Sequence, residues 1–190
     1  MSWQLDPAHS SVTFSVKHMM VTTVRGTMTI DEAIVDADDA NPELASVEVR
    51  LDAASINTGQ EARDQHLRSA DFLDTEHHPF LTFSSTRIER TGGETEFILH
   101  GDLTIRGVTR PVALRSEFHG IVPNLQGGRR AAFSATTKIN REEWGLTWNV
   151  GLEAGGWLVG KEMTIDLDLA LVEEAAGADA GAAAEGEAVA

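Results

Sequence analysis

The chain has 190 residues and a formal net charge of -15, with 30 Asp and Glu against 15 Lys and Arg. It contains no cysteine, which excludes a disulfide scaffold, a thiolate metal site and a cysteine nucleophile. The excess of acid argues against nucleic-acid and anionic-membrane partners, because surfaces that follow phosphates carry clustered Lys and Arg. The length and the 42% hydrophobic composition are typical of one globular domain.

The N-terminal residues show no export signal. They read MSWQLDPAHSSVTF, which has no basic n-region and no apolar segment, and Asp6 and Pro7 would interrupt one. No run of about 18 apolar residues occurs in the chain, so we expect no transmembrane helix. The sequence therefore predicts a cytoplasmic protein without an integral membrane segment.

Eight segments alternate between apolar and polar residues, which is the period of a β-strand with one buried face. Their apolar positions are Val12, Phe14 and Val16; Met28 and Ile30; Val47, Val49 and Leu51; Leu81 and Phe83; Leu99, Leu103 and Ile105; Val112, Leu114 and Phe118; Phe133, Ala135 and Ile139; and Met163, Ile165, Leu167, Leu169 and Leu171. Long strands, here roughly 8 to 14 residues, with short turns favour an antiparallel barrel. Turns are expected at 92–93, 106–107 and 123–128, where glycines occur.

Other segments depart from this alternation. Residues 60–71 are good helix formers and predict a helix of about two to three turns, with N-cap candidates at 57–59. Residues 142–145 predict a turn or a short 3₁₀ segment. Residues 175–190 contain only Ala, Gly, Glu, Asp and Val, which predicts a flexible acidic tail after a barrel domain of residues 1–174.

The alternating pattern also describes a small outer-membrane barrel. Against that reading, the chain has no tyrosine and only 6% aromatic residues with which to form interfacial girdles, and its polar strand positions are charged. We therefore expect an all-β, water-soluble barrel with an apolar interior. Such an interior either holds one small ligand or is filled by its own side chains, and the pattern leaves both open.

A series of ordered motifs over residues 3–173 resembles the YceI-like family. In chain order they are Asp6-Pro7-Ala8-His9-Ser10, Val12-x-Phe14-x-Val16-x-His18, Val24-Arg25-Gly26, Ala54-Ser55-Ile56-Asn57-Thr58-Gly59, Arg63-Asp64-x-His66-Leu67-Arg68-Ser69-x-Asp71-Phe72-Leu73, His78-Pro79-x-Leu81-x-Phe83-x-Ser85, the segment from Gly101 to Val112, and Arg141-x-x-x-Gly145-Leu146. Several distinctive stretches in the same order make a chance similarity improbable.

The resemblance implies an eight-stranded antiparallel, lipocalin-like barrel with one short helix. It also implies that the interior binds a long isoprenoid lipid, such as a polyprenyl pyrophosphate or a quinone-like chain. Many members of the family are periplasmic, whereas this sequence shows no signal peptide. We therefore expect non-catalytic binding, transport or sequestration of such a lipid, by a monomer or a homodimer. Two further hypotheses are a filled barrel that acts as a stress-linked interaction module and, less favoured, an enzyme for an apolar substrate.

The expected ligand contacts are inward apolar residues together with a few polar and aromatic side chains. They are Phe14, Val16, His18, Val49, Phe83, Leu99, Leu103, Phe118, Phe133, Arg141, Trp144, Trp148 and Ile165. His18 is the polar candidate for the interior, because it shares the phase of Val16 on its strand. Arg141 either binds a headgroup phosphate or forms an ion pair with an acid such as Asp64.

The tryptophans at 144, 148 and 157 follow Arg141 in an irregular stretch. They either line a lipid entrance or plug the end of the core, and the sequence favours neither.

We expect no catalytic site, metal site or cofactor. Arg63, Asp64 and His66 lie together on the predicted helix, but residues two apart do not face each other there, so anchoring of the helix is favoured over acid–base chemistry. An enzyme would use His18 or His66. The histidines at 9, 18, 77 and 78 lack the spacing of a metal site.

Overall fold

The computed structural model describes residues 2–37, 44–124 and 127–173. The predicted tail at 175–190 lies outside the described residues, and the domain boundary at 174 stays a prediction. The strands are β1 (Ser2–Leu5), β2 (Ser11–His18), β3 (Thr22–Asp36), β4 (Ser46–Asn57), β5 (Phe80–Arg90), β6 (Glu96–Ile105), β7 (Val108–Pro123), β8 (Arg129–Asn140) and β9 (Val159–Glu173), with one α-helix, α1 (Glu61–Arg68). Short 3₁₀ segments occur at Pro7–His9 and Arg141–Trp144.

The eight long strands, β2 to β9, form a closed antiparallel barrel. Their hydrogen-bonded order is β3-β2-β9-β8-β7-β6-β5-β4, and β3 pairs with β4 to close the ring. The short strand β1 was not predicted; it pairs with β3 on one side and with β9 on the other, beyond the start of β2. The predicted eight-stranded barrel with one short helix is therefore confirmed, with one extra strand inserted between two of its long ones.

The alternation of apolar residues decides which face of each strand points inward. Phe14 on β2, for example, lies opposite Gly26 on β3 and Ile165 on β9, so one layer of the interior comes from three neighbouring strands. The charged residues of the opposite phase, such as Asp166 and Asp168, are exposed. The polar outer face that the sequence predicts is therefore observed on these strands.

The two ends of the barrel differ. Helix α1, the loop that follows it and residues 141–158 lie at one end, which we call the helix end. The connections after β3, β5 and β7 lie at the opposite end, which we call the far end. No helix in the described part of the chain is long and apolar enough to cross a bilayer.

The turns between strands lie where the glycines of the sequence predict them. Arg106 and Gly107 connect β6 to β7 with φ of 50° and 73°, which is the left-handed pair that a two-residue hairpin turn needs. The glycines at 92, 127 and 128 also have positive φ, in the connections after β5 and β7. The predicted turn positions are therefore confirmed.

Helix α1 begins one residue later and ends three residues earlier than predicted. Its N-cap is Gln60, whose side chain makes no capping hydrogen bond, so the predicted caps at 57–59 were wrong. Thr58 instead bonds to side chains of the helix: its backbone N–H donates to the Asp64 carboxylate at 2.9 Å, and its hydroxyl accepts from Arg63 Nε at 2.7 Å. These bonds hold the helix to the end of β4.

Two strand glycines lie beneath aromatic rings. The ring of Phe14 covers Gly26, and the ring of Phe83 covers Gly101, so closely that a Cβ at either glycine would clash with the ring. At Gly101 the carbonyl oxygen of Ser84 would also lie 2.5 Å from that Cβ. A strand glycine often marks such a close approach. Both rings therefore lie against a neighbouring strand.

Gly101→Ala is expected to lower the free energy of unfolding by about 1–3 kcal/mol, the usual cost of overpacking a core. The backbone of β5 and the Phe83 ring would both have to move. The matched control is Gly151→Ala, because no atom lies within 4 Å of the Cβ position there. Urea denaturation measures both variants, and equal stability of the two would contradict the packing described here.

Candidate ligand-binding site

The barrel interior contains two cavities, one toward each end. The cavity at the helix end has a volume of about 160 Å³, and the one at the far end about 400 Å³. Val47, Leu99, Ala135 and Leu169 line both, so the two cavities adjoin within one interior. The far-end cavity alone falls in the range of roughly 300–1,000 Å³ that is usual for ligand pockets.

The helix-end cavity is almost wholly apolar. Its polar lining residues, among those described, are Thr82, Thr137 and Arg141. Its apolar lining comes from all eight barrel strands and from the helix end, and includes Val12, Phe14, Val16, Met28, Val49, Ile56, Leu67, Phe72, Leu73, Phe83, Leu103, Leu114, Ala135, Leu146, Val159, Met163, Ile165 and Leu167. Such a surface binds hydrocarbon by removing it from water.

The far-end cavity has a mixed lining. Trp3, Phe118 and Phe133 supply aromatic surface, and the last two rings lie 5.0 Å apart between centroids. Its polar lining residues are Arg90, Glu94, Thr95, Glu96, Ser116 and Ser134. The interior therefore changes from apolar to mixed along the barrel axis.

Ten of the predicted contact residues line these cavities, although ligand binding by them stays a prediction. Phe14, Val16, Val49, Phe83, Leu103, Arg141 and Ile165 line the helix-end cavity, Phe118 and Phe133 the far-end cavity, and Leu99 both. His18, Trp144 and Trp148 are not among the lining residues. His18 is half-buried at the end of β2, where the pairing with β9 shifts register after Val16.

The three tryptophans of the irregular stretch have different environments. Trp144 is only 1% exposed and donates its indole N–H to the Leu103 carbonyl at 3.0 Å, so it plugs the core. Trp148 packs edge-on against His66, with centroids 4.5 Å apart, and against Phe72. Trp157 is exposed. Neither an entrance nor a plug describes all three.

Arg141 is a buried cation at the wall of the helix-end cavity. It is 3% exposed, and its guanidinium donates to the carbonyls of Gly160 at 2.8 Å, Leu146, and Val159 at 3.4 Å. Burial lowers the pKa of Arg141, and the Glu142 carboxylate opposes that shift. The ion pair with Asp64 that the sequence suggested is not formed, because Asp64 accepts its hydrogen bonds from Thr58.

The polar cluster of α1 anchors the helix. Asp64 is buried and holds Thr58, while Arg68 donates to the carbonyls of Ala54 at 2.9 Å and Ile56 at 3.1 Å. His66 bonds to Asp71 at 2.9 Å and does not line either cavity. These contacts give the cluster a structural role.

Four histidines, at positions 9, 66, 77 and 100, bond to nearby carboxylates. His77 Nδ1 lies 2.9 Å from Asp74 Oδ1, and this hydrogen bond lowers the pKa of Asp74 and raises the pKa of His77. His9 bonds similarly to Asp6. Within the described ranges, no group of three or more His, Asp or Glu side chains is arranged to hold a metal ion.

Sequence reasoning missed several lining residues. Phe72 and Leu73 follow α1 and cover the helix-end cavity, and an apolar pair within an otherwise polar loop was the signal that could have identified them. Trp3 lines the far-end cavity from β1, a strand of four residues that is too short to show alternation.

The fold and the interior together define a closed antiparallel barrel that encloses an apolar, cavity-bearing space. The family model described as a YceI-like domain matches residues 3–171. The chain therefore belongs to the YceI-like domain family, as the sequence motifs predicted.

The chain is also similar in sequence to UPF0312 proteins of two bacteria. A UPF0312 protein of Staphylococcus aureus (strain N315) is 34% identical over 166 residues, which are 87% of this chain and 94% of that protein. One from Ectopseudomonas mendocina (strain ymp) is 38% identical over 143 residues, 75% of this chain and 74% of that protein.

Three solved structures share the fold. BcnA of Burkholderia cenocepacia superposes with a TM-score of 0.70 at 24% identity, covering 87% of this chain and 98% of that one. The Campylobacter jejuni YceI protein gives 0.69 at 26% identity, covering 83% and 90%. A polyisoprenoid-binding domain from Saccharophagus degradans gives 0.62 at 13% identity, covering 90% and 98%.

Arg141→Met is expected to lower the free energy of unfolding by at least about 2 kcal/mol, because the carbonyls of Leu146 and Gly160 lose this donor and an unsatisfied buried acceptor costs about 1–3 kcal/mol, whereas Asn149 still donates to the Val159 carbonyl at 2.7 Å. Arg115→Met is the matched control, since Arg115 is exposed on β7. Urea denaturation compares the two. Similar midpoints would show that the carbonyls find other partners.

Proposed function

We propose that this protein binds a long-chain isoprenoid lipid inside its barrel and carries or sequesters it without chemical change. The observation that carries the proposal is the single interior with two adjoining cavities, of which the one at the helix end is lined almost entirely by apolar side chains. Membership of the YceI-like family supports it. So does the shared fold of the domain from Saccharophagus degradans that is described as polyisoprenoid-binding.

The apolar chain supplies the binding energy. Burial of hydrocarbon contributes about 0.8 kcal/mol for each CH₂ group, so several isoprene units suffice for tight binding even after the entropy of association is subtracted. Branched, apolar isoprene units match a wall made of Val, Leu, Ile and Phe. In this proposal the chain occupies the helix-end cavity.

The end group of the lipid is expected at the far-end cavity, where the polar lining residues lie. Among the described residues, the charged ones are Arg90, Glu94 and Glu96, which carry more negative than positive charge. A pyrophosphate would meet repulsion there, whereas an uncharged quinone-like ring can accept hydrogen bonds and pack on Phe118 and Phe133. We therefore propose a quinone-like rather than a pyrophosphate end group.

A pyrophosphate remains the second candidate, because Arg141 is the one titratable side chain among the described residues of the helix-end cavity. Its three carbonyl acceptors leave some of its five N–H groups free to donate. A phosphorylated lipid would then place its charged end in the helix-end cavity.

The structure offers less support for a filled barrel or for an enzyme. Cavities on this scale count against a barrel filled by its own side chains. An enzyme would need a reactive group at the ligand, but neither His18 nor His66 lines a cavity. The cytoplasmic location and the stress-linked role stay predictions, which cell fractionation and expression measurements would check.

Lipid extraction of the purified protein, followed by mass spectrometry, is expected to find a prenyl lipid. Delipidated protein is expected to take up a prenylquinone more tightly than a prenyl pyrophosphate of equal chain length. A preference for the pyrophosphate would move the end group to Arg141. Failure to retain or take up any prenyl lipid would end the carrier proposal.

Phe133→Asp is expected to abolish uptake, since it places a carboxylate within the apolar part of the far-end cavity. Asp168→Asn, on the exposed face of β9, is expected to leave uptake unchanged. Phe133→Leu should retain it, and circular dichroism checks that each variant is folded. Equal effects of Phe133→Asp and Asp168→Asn would mean that the inward face is assigned wrongly.

A further inference from the structure

The helix end carries an exposed apolar surface that the lipid-binding interior does not use. The turn between β2 and β3 presents Met19, Met20 and Val21, of which Met20 is 65% exposed and Val21 79%. Val150 and Trp157, on the loop before β9, are also exposed. We call these five residues the rim patch.

The rim patch is one continuous surface. The Met19 N–H donates to the Leu158 carbonyl at 2.8 Å, and the Leu158 N–H donates to the Val150 carbonyl at 2.9 Å. The sulfur of Met20 lies directly over Gly156, where no Cβ would fit. The turn and the loop therefore hold each other in place.

The turn holds its methionines in a costly conformation. Met19 and Met20 have φ of 49° and 63°, the left-handed region that hairpin turns usually give to Gly, Asn or Asp. A backbone of this kind costs on the order of 1–3 kcal/mol per residue, and such strain clusters at sites that bind. Exposed apolar side chains in a strained turn therefore indicate a contact surface.

The charges beside the rim patch differ from those of the whole chain. Lys17 and Arg25 are exposed on β2 and β3, and neither forms an ion pair with any residue that the structure describes. The acids of residues 141–158 that form no ion pair with a described residue are Glu143 and Glu153, while Glu142 is paired with Lys161 at 2.9 Å. Among these residues the two unpaired cations balance the two unpaired acids, although the chain as a whole carries -15.

We propose that the rim patch docks the protein on a phospholipid bilayer, with its apolar side chains in the interfacial layer and with Lys17 and Arg25 at the level of the phosphates. Tryptophan favours this layer, and each cation near an anionic surface contributes about 1 kcal/mol. A second copy of the chain is the alternative occupant, and the test below distinguishes it from a bilayer.

The position of the rim patch relative to the interior supports a bilayer. Val16 and Val159 line the helix-end cavity, and each lies within three residues of a rim-patch residue in the sequence. A docked barrel would hold the apolar cavity next to the membrane. Docking on a bilayer is a separate proposal from lipid binding in the interior, and its test does not require a bound lipid.

The test compares Val21→Asp with Val122→Asp. Val122 is 56% exposed at the far end and lines neither cavity, so the two substitutions are chemically identical and lie at opposite ends of the barrel. The probe is co-flotation with vesicles of phosphatidylcholine containing phosphatidylglycerol. The wild type and Val122→Asp are expected to float. Val21→Asp is expected to bind at least about tenfold more weakly, since burial of one valine accounts for a factor of that size.

Several outcomes overturn the proposal. It fails if the wild type does not float, or if the two variants behave alike. It also fails if sedimentation shows a dimer that Val21→Asp dissociates, because the patch then belongs to a second copy. Uptake of prenyl lipid from detergent is expected to be equal for both variants, so loss of docking and loss of cargo binding are measured separately.

Discussion

The hydrogen-bonded seam between β3 and β4 is the constraint on which the rest of the structure depends. Once it closes, the eight long strands form a ring, and their inward side chains face a single interior instead of a second layer. Phe14 and Phe83 could have filled that interior, but their rings lie over Gly26 and Gly101 of the neighbouring strands. Both rings are thus held against the wall, and the space they leave is part of the helix-end cavity. Closure and the two glycines together make an apolar core that contains cavities.

Closing the helix end poses a different problem, because irregular backbone beside an apolar cavity needs hydrogen-bond partners. Arg141 meets that need with one planar group that donates in three directions, to Leu146, Val159 and Gly160. A lysine would not reproduce this geometry, since its donors radiate from one nitrogen. Trp144 completes the closure through its bond to Leu103. The buried charge therefore has a structural reason to be there, which is why a ligand phosphate is not needed to explain it.

Local sequence patterns predicted most of the fold. The features that they missed depend on contacts between residues far apart in the sequence. The period-2 alternation identified all eight long strands, because every strand of a closed barrel has one face inward, and the glycine of Arg106-Gly107 identified the turn between two of them. The short strand β1 carries no period, and its position depends on pairing with β9 at the other end of the chain. The partners of Arg141 and the different environments of Trp144, Trp148 and Trp157 depend on how one loop folds over the barrel. The cavities are harder still to predict from the sequence, since a barrel filled by its own side chains would have the same inward residues.

The net charge of the chain is likewise a poor guide to what one end of the barrel can bind. The value of -15 argues against anionic partners only if the charges act as a sum, but at physiological ionic strength exposed charges interact over about 8 Å. A bilayer at the helix end would respond mainly to the charges near it, such as Lys17, Arg25, Glu143 and Glu153, while most of the acid lies on the barrel wall and toward the C-terminus. Long-range repulsion would then slow approach in dilute salt and matter little in the cell. In the docking proposal, the side chains and charges near the rim patch, and not the net charge of the chain, decide what this end can bind.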